Sequence, residues 1–300
     1  MNERTNAPGP DSEGVVPEPM KSLRSGLRVL LEFERGPRDI SMTELAKRCE
    51  LSKSQVSKIL AALVDSGLVV QDPTSRTYAI GKRSYVLGSR YTAYDPLCQS
   101  ATPVMRQLLN RTGHSVRLSV PHGDQSLYLI GLEGPLFLDT GWNSGSCVPI
   151  GASSAGRVLM AFMEPEERAR MLDVPVPPLT QHTIRDRAKV AELVEQARLN
   201  GFSVQRNETT PGLGVATVPV FRTGQQIVGA LGLSFPSHQV SPEEEPELVA
   251  ALHDAARVIS QRLGCGVYPF GAARAYVNGD GRPQASRADA PPVPEGNTYQ

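Results

Sequence analysis

From Lys21 onward apolar side chains recur at helical spacing, Leu23, Leu27, Leu30 and Leu31, as far as Gly36-Pro37. That predicts one amphipathic helix with a single buried face. Ser41 and Glu44 form an S-x-x-E capping box ahead of Met42, Leu45, Ala46 and Cys49, a second, short helix, and Glu50-Leu51 makes a tight turn. Ser52 and Gln55 form a second box, S-x-x-Q, opening a third helix with Val56, Ile59, Leu60, Leu63 and Val64 inward and Gly67 at its C-terminal end. The period then changes. Two strand-like runs, 68–71 and 77–80, flank the turn-forming segment Asp72-Pro73-Thr74-Ser75-Arg76.

That order reads as a winged helix-turn-helix over residues 20–81, followed by a helical linker over 82–112. Strand composition at 116–120, 127–132, 202–205, 215–221 and 227–235 then mixes with helical periodicity at 153–163, 188–199 and 243–263. An α/β sensor-type domain over 113–264 is expected, and the Pro/Gly-rich ends, 1–19 and 265–300, are expected to be disordered tails. The fold class is therefore two-domain α/β (α+β).

Length and composition fit that division: 300 residues, 40% hydrophobic and 21% charged. No run approaches the roughly 18 apolar residues of a membrane span, and the first residues lack the apolar core of a secretory signal, so a cytoplasmic protein with no membrane partner is expected. Cys49, Cys98, Cys147 and Cys265 form no C-x-x-C pair, and the five histidines show no ligand spacing, so neither metal nor cofactor is expected. Net charge is zero, but residues 21–90 carry 13 Lys and Arg against 7 Asp and Glu. A basic segment on an otherwise mildly acidic chain implies a polyanion partner for that segment alone.

Candidate chemistry follows from this. Lys53, Ser54, Gln55, Ser57 and Lys58 lie on the outward face of the third helix, with small Ala61 behind them. Ammonium, hydroxyl and amide groups on the first two turns suit phosphates and base edges in a major groove. Arg76 near the wing tip can reach a minor groove or a phosphate, and Lys82 and Arg83 can add backbone contacts. The segment from Gly151 to Gly156 looks superficially like a G-x-S-x-G nucleophile elbow, but Ala155 stands at the fifth position and no Asp…His order accompanies it. Ser153 or Ser154 reads instead as a helix N-cap. Trp142 either covers a pocket or simply packs, and Glu208 is either paired or a solvated loop carboxylate.

Several segments match a family. SLRSGLRVLLEF, ISMTELAKRCELSKSQVSKILAALVDSGLVV and RTYAIG resemble the N-terminal domain of IclR regulators; VPIGASSAGRVLMAFM, NGFSVQRNETTPGLGVATVPVF and VGALGLSFP resemble the family's effector-pocket segments. The similarity covers about residues 21–264. It implies a GAF-like effector-binding domain with a central antiparallel sheet, a helical linker that dimerises, and a homodimer or dimer of dimers on a palindromic double-stranded DNA operator. The implied function is a DNA-binding repressor of a metabolic operon, acting on the nucleoid and controlled by a small organic acid or aromatic effector. Effector-binding positions carried over by motif are Gly151, Ala152, Gln205, Val215, Gly232 and Ser234. Relatives that bind small carboxylates often have an acid at 205, a cysteine at 215 and a serine at 232. The departures predict a less polar, roomier wall and a larger or more apolar effector, such as an aromatic or branched acid. Two alternatives stay open: a regulator with a degenerate pocket answering to a protein partner, and a small-acid enzyme with an appended winged module.

Overall fold

A computed structural model of the chain describes residues 20–35, 39–135 and 142–271. They divide into two compact units, the first ending at Tyr91 and the second beginning at Thr92.

The first unit contains α1 (Lys21–Arg35), α2 (Met42–Arg48), α3 (Lys53–Asp65), the hairpin β1 (Val69–Gln71) and β2 (Tyr78–Ile80), and most of α4 (Lys82–Tyr94). Its core is Val29, Ile40, Leu45, Ala46, Cys49, Val56, Leu60 and Val69. Ser41 caps α2 by accepting from the Glu44 amide, but the Glu44 carboxylate takes Arg48 Nε at 2.8 Å, so the first capping box closes on one side only. The Ser52–Gln55 box is complete in both directions. Between the helices Glu50 adopts a left-handed φ of 51°, the conformation that turns the chain from α2 into α3. Gly67, at φ 72°, ends α3 as its spacing predicts.

Two expectations for this unit fail. Val29 is the fully buried residue of α1, whereas Leu23, Leu27 and Leu31 are 50–59% exposed. The leucines form a stripe on the side of the helix away from this small core. Val64, in the last turn of α3, is also exposed. The helix stop at Gly36-Pro37 lies outside the described residues.

The helical linker expected over 82–112 consists of two helices. Asp95 accepts from the Cys98 amide and Pro96 takes the first helical position, so the chain ends α4 and starts α5 (Pro96–Thr112). Leu97, Ala101, Val104, Met105 and Leu108 of α5 lie in the second unit's core. That core also extends past 264: Cys265, Tyr268 and Phe270 are buried, so the expected tail begins inside the packed unit. Residues 1–19 and 272–300 lie outside the described residues.

The second unit is built on a six-stranded antiparallel sheet in the order β5-β4-β3-β8-β7-β6. Its strands are β3 (Ser115–His122), β4 (Gln125–Leu132), β5 (Cys147–Pro149), β6 (Ser203–Arg206), β7 (Leu213–Arg222) and β8 (Gln226–Pro236). Alternation sorts the side chains. Val116, Leu118, Ala216, Val218, Leu231, Leu233 and Phe235 face α5 and α9 (Glu245–Arg262) and form the main core. The opposite face carries Ser115, Arg117, Ser119, Thr217, Gln205 and Ser234, all buried. It lies beneath a short 3-10 turn (Ile150–Ala152), α6 (Ser154–Ala161) and α8 (Arg187–Asn200), with α7 (Pro165–Leu172) between those helices in sequence.

Candidate functional site

In the first unit, Lys53, Ser54, Gln55, Ser57 and Lys58 are all exposed on α3, and Ala61 and Ala62 continue the surface. Residues 53, 57 and 61 are four apart, so this is one continuous side of the helix. The opposite side carries Val56 and Leu60, at 0% and 1% exposure, and ties the helix rigidly to the core. Gln55 does two things. Its Oε1 accepts from Ser52 N and Oγ, each at 3.0 Å, which commits the carbonyl to the cap and leaves the amide N–H2 end as a donor. Asp72 organises the wing by accepting from the amides of Thr74 and Ser75 at 2.8 and 2.7 Å, bonds that hold its carboxyl below the usual carboxylate range. Arg76 sits in that turn, exposed and at φ 60°. Arg83 is differently used: its Nη1 donates to Ser66 O at 2.7 Å and fastens the end of α3.

In the second unit the strand register places the motif residues. Gln205, Val215, Ser234 and Ser115 are successive cross-strand partners, one row across β6, β7, β8 and β3. The next row is Ser203, Thr217, Gly232, Arg117 and Gly131. Gly151 and Ala152 lie in the 3-10 turn. A Cβ on Gly151 would meet Val176 at 2.7 Å, so close cover by that side chain requires glycine there. Ala152 packs with Tyr128, Val148, Trp142, Val176 and Leu179.

Side-chain bonds lock turn and sheet together. Ser153 caps α6 by accepting from the Gly156 amide at 3.0 Å, and its oxygen lies 3.3 Å from Ser126 Oγ. The Ser154 amide donates to Gln205 Oε1 at 2.7 Å, and Gln205 Nε2 donates to Thr209 Oγ1 at 2.8 Å. Ser154 Oγ lies 2.9 Å from Thr217 Oγ1. Both serine hydroxyls meet partners within this layer, Ser126 and the Gly156 amide for Ser153 and Thr217 for Ser154. Gln205 thus spends both ends of its amide inside the protein, and its oxygen occupies the first free amide of α6. The Trp142 indole donates to Thr210 Oγ1 at 3.1 Å while its ring joins the Tyr128 cluster, so it packs.

Two buried arginines were not singled out in the sequence. Arg157 is 0% exposed and forms a two-pronged pair with Glu208, which settles that glutamate as paired rather than solvated. Arg117 is 7% exposed. Its guanidinium lies over Gly131, 5.8 Å from the centre of the Tyr128 ring, whose phenol burial pushes up to about 12. The alternation Ser115, Arg117, Ser119 was visible, but alternation shows only that one face is polar, not that it too is covered. With Arg117 and Thr217 on the same rows, the wall is more polar than the departures at 205, 215 and 232 imply.

Comparison with known proteins agrees with this layout. The family model described as IclR helix-turn-helix domain matches residues 22–73, and that described as bacterial transcriptional regulator IclR C-terminal matches residues 89–261. The HTH-type transcriptional regulator KdgR of Escherichia coli K12 is 31% identical over 252 residues, covering 83% of this chain and 96% of that protein. The glycerol operon regulatory protein of Streptomyces griseus is 27% identical, covering 82% and 98%. Among solved structures, a putative IclR regulator from Silicibacter sp. TM1040 superposes with a TM-score of 0.72 at 21% identity, covering 84% of this chain and all of that one.

Proposed function

The chain belongs to the IclR family of DNA-binding bacterial transcriptional regulators, and from that premise we propose that it acts in the cytoplasm as a homodimeric repressor of a metabolic operon, released or tightened by an organic effector. The observation that carries the DNA half is α3. It has an exposed side of lysine, hydroxyl and amide groups, a buried side holding it rigid, and a capped N-terminus, all within the basic segment. Lys53, Ser54, Gln55, Ser57 and Lys58 contact the major groove, with Gln55 acting as a donor only, and Arg76 contacts the backbone or minor groove beside it. Among the described residues no helix is long and apolar enough to cross a membrane, in keeping with this setting.

The uncovered stripe of α1 supports the dimer. Met20, Leu23, Leu27 and Leu31 are 50–65% exposed at helical spacing, and Tyr85, Val86 and Leu87 of α4 are likewise exposed. Contiguous apolar surface of this kind on a small unit marks an interface. A two-fold dimer matches a palindromic operator, one α3 per half-site. Leu27→Asp is expected to shift the protein towards monomer in sedimentation velocity and to weaken operator binding with it.

The effector occupies the polar sheet face under the 3-10 turn, bounded by Gly151, Ala152, Gln205, Val215, Gly232 and Ser234. The protein is a sensor rather than a catalyst, a reading supported by the commitment of Ser153 and Ser154 to structural bonds. A coupling of about 1–3 kcal/mol between sensor and headpiece corresponds to roughly 5- to 150-fold in operator affinity. An operator titration repeated with candidate carboxylic and aromatic compounds tests this: one of them changes the affinity within that range, and a complete absence of response overturns the sensor assignment.

A further inference from the structure

On the exposed first turn of α3 the fold decides the hydrogen-bonding polarity of Gln55. A free glutamine amide offers an acceptor and a donor side by side, the pair that fits N6–H2 and N7 of adenine. In this protein the oxygen end is taken. Oε1 accepts from the Ser52 backbone N–H and from the Ser52 hydroxyl, each at 3.0 Å, while that hydroxyl accepts from the Gln55 amide at 3.2 Å. A backbone N–H can only donate, so the end of the side chain that meets it is the oxygen. Nε2 makes no hydrogen bond among the described residues, and the side chain is exposed.

The neighbouring groups carry less information. Lys53 and Lys58 are point charges that phosphates attract as readily as bases do. The hydroxyls of Ser54 and Ser57 donate or accept as the partner demands. Gln55 is neutral and stands in the first turn, the part of a recognition helix that meets base edges. To take adenine through two bonds it would have to withdraw Oε1 from Ser52 and open the capping box. Left in place, its N–H2 group would face the adenine or cytosine amino group donor against donor. Thymine offers one acceptor beside a methyl group, whereas guanine presents O6 and N7, acceptors alone.

We propose that Gln55 reads a guanine in each operator half-site, donating Nε2 to its O6/N7 edge, and that the bond to Ser52 is what excludes adenine there. This rests on the assignment of α3 as the DNA-reading helix and names the base that one of its residues reads.

The test selects bound duplexes from a randomised double-stranded DNA library with the full-length protein and with Gln55→Glu. Glutamate keeps the cap as an S-x-x-E box but replaces the outward donor with an acceptor. One position per half-site is expected to change, from guanine with the original protein to cytosine, whose N4–H2 is a donor, with Gln55→Glu. In anisotropy titrations on the selected duplex, adenine in place of that guanine weakens the original protein about fivefold per half-site, the low end of direct readout. In Gln55→Ala the same change costs less than about twofold, which decides the matter should Gln55→Glu bind too weakly to select. The inference is overturned if the position that answers to these variants carries adenine, thymine or cytosine in the original consensus. It is equally overturned if no position answers to them; in both cases a clear consensus leaves the regulator standing. Failure of the original protein to select any consensus removes the DNA reading of α3, and the guanine with it.

Discussion

Replacing Glu208 by Gln isolates the energetics of the layer over the polar sheet face. Arg157 is 0% exposed, and among the described residues the Glu208 carboxylate is its acidic partner. Breaking a buried pair by neutralising one member costs about 3–5 kcal/mol, because an uncompensated charge stays behind. The Gln Oε1 still accepts one of the two guanidinium bonds, so the low end, about 3 kcal/mol, is expected. Against the 5–15 kcal/mol that holds an ordinary domain together, that is a large fraction. At about 2–4 °C per kcal/mol for a unit of this size, the melting temperature falls by roughly 6–12 °C. Trp142 is the only tryptophan and lies in the Tyr128 cluster, so urea unfolding followed by its fluorescence reports this unit directly. Arg157→Met is the control: it removes the cation and leaves a carboxylate that can take up a proton, so it destabilises less. A Glu208→Gln protein within about 1 kcal/mol of the original at neutral pH would refute the buried-pair argument.

Three further outcomes follow. Ser52→Ala opens the capping box of α3 and should destabilise the N-terminal unit by about 1 kcal/mol in thermal melts, weakening operator binding in step. Glu50→Gly relieves a left-handed side chain in the helix-helix turn and should raise stability by up to about 1 kcal/mol; a loss instead would mean that the glutamate side chain has a stabilising role. His253 is buried, donates Nδ1–H to Tyr268 and is pulled down to about 4 by desolvation first and Arg257 second, with Asp254 opposing. Its folded value lies below the unfolded one, so the unfolded chain takes the proton first. The stability it contributes is intact above about pH 6.5 and declines towards pH 4, by up to about 3 kcal/mol. His253→Asn, which keeps the donor and loses the titration, should show a shallower decline in pH-dependent melts.

The sequence revealed the headpiece almost in full because its signals are local: two capping sequences, a turn and a hairpin fix α2, α3 and the wing without long-range help. It misled at α1, where the periodicity of Leu23, Leu27 and Leu31 was real but the surface that covers it is not part of this fold. At 82–112 it showed helix but not that Asp95-Pro96 ends one helix and starts another, nor that the second half packs as core. Tyr268 and Phe270 were expected in the tail because nothing local shows that the chain after α9 packs back into the core, where Tyr268 meets the buried His253. On the polar sheet face and the turn above it the family motifs named Gly151, Gln205 and Ser234. Only the register revealed that Arg117 shares a row with Gly232 and Thr217, since residues a hundred positions apart meet through strand pairing.

The central claim is that α3 reads DNA and that the second unit governs how tightly. Fluorescence anisotropy of the full-length protein on its own upstream intergenic DNA tests it most directly, over a range of salt and against Lys58→Ala. The account predicts binding well above that to random DNA, falling steeply with salt, with the substitution weakening it and reducing the log–log salt slope by about one per protomer. Binding no tighter than to random DNA, or a Lys58→Ala protein indistinguishable from the original, would contradict it.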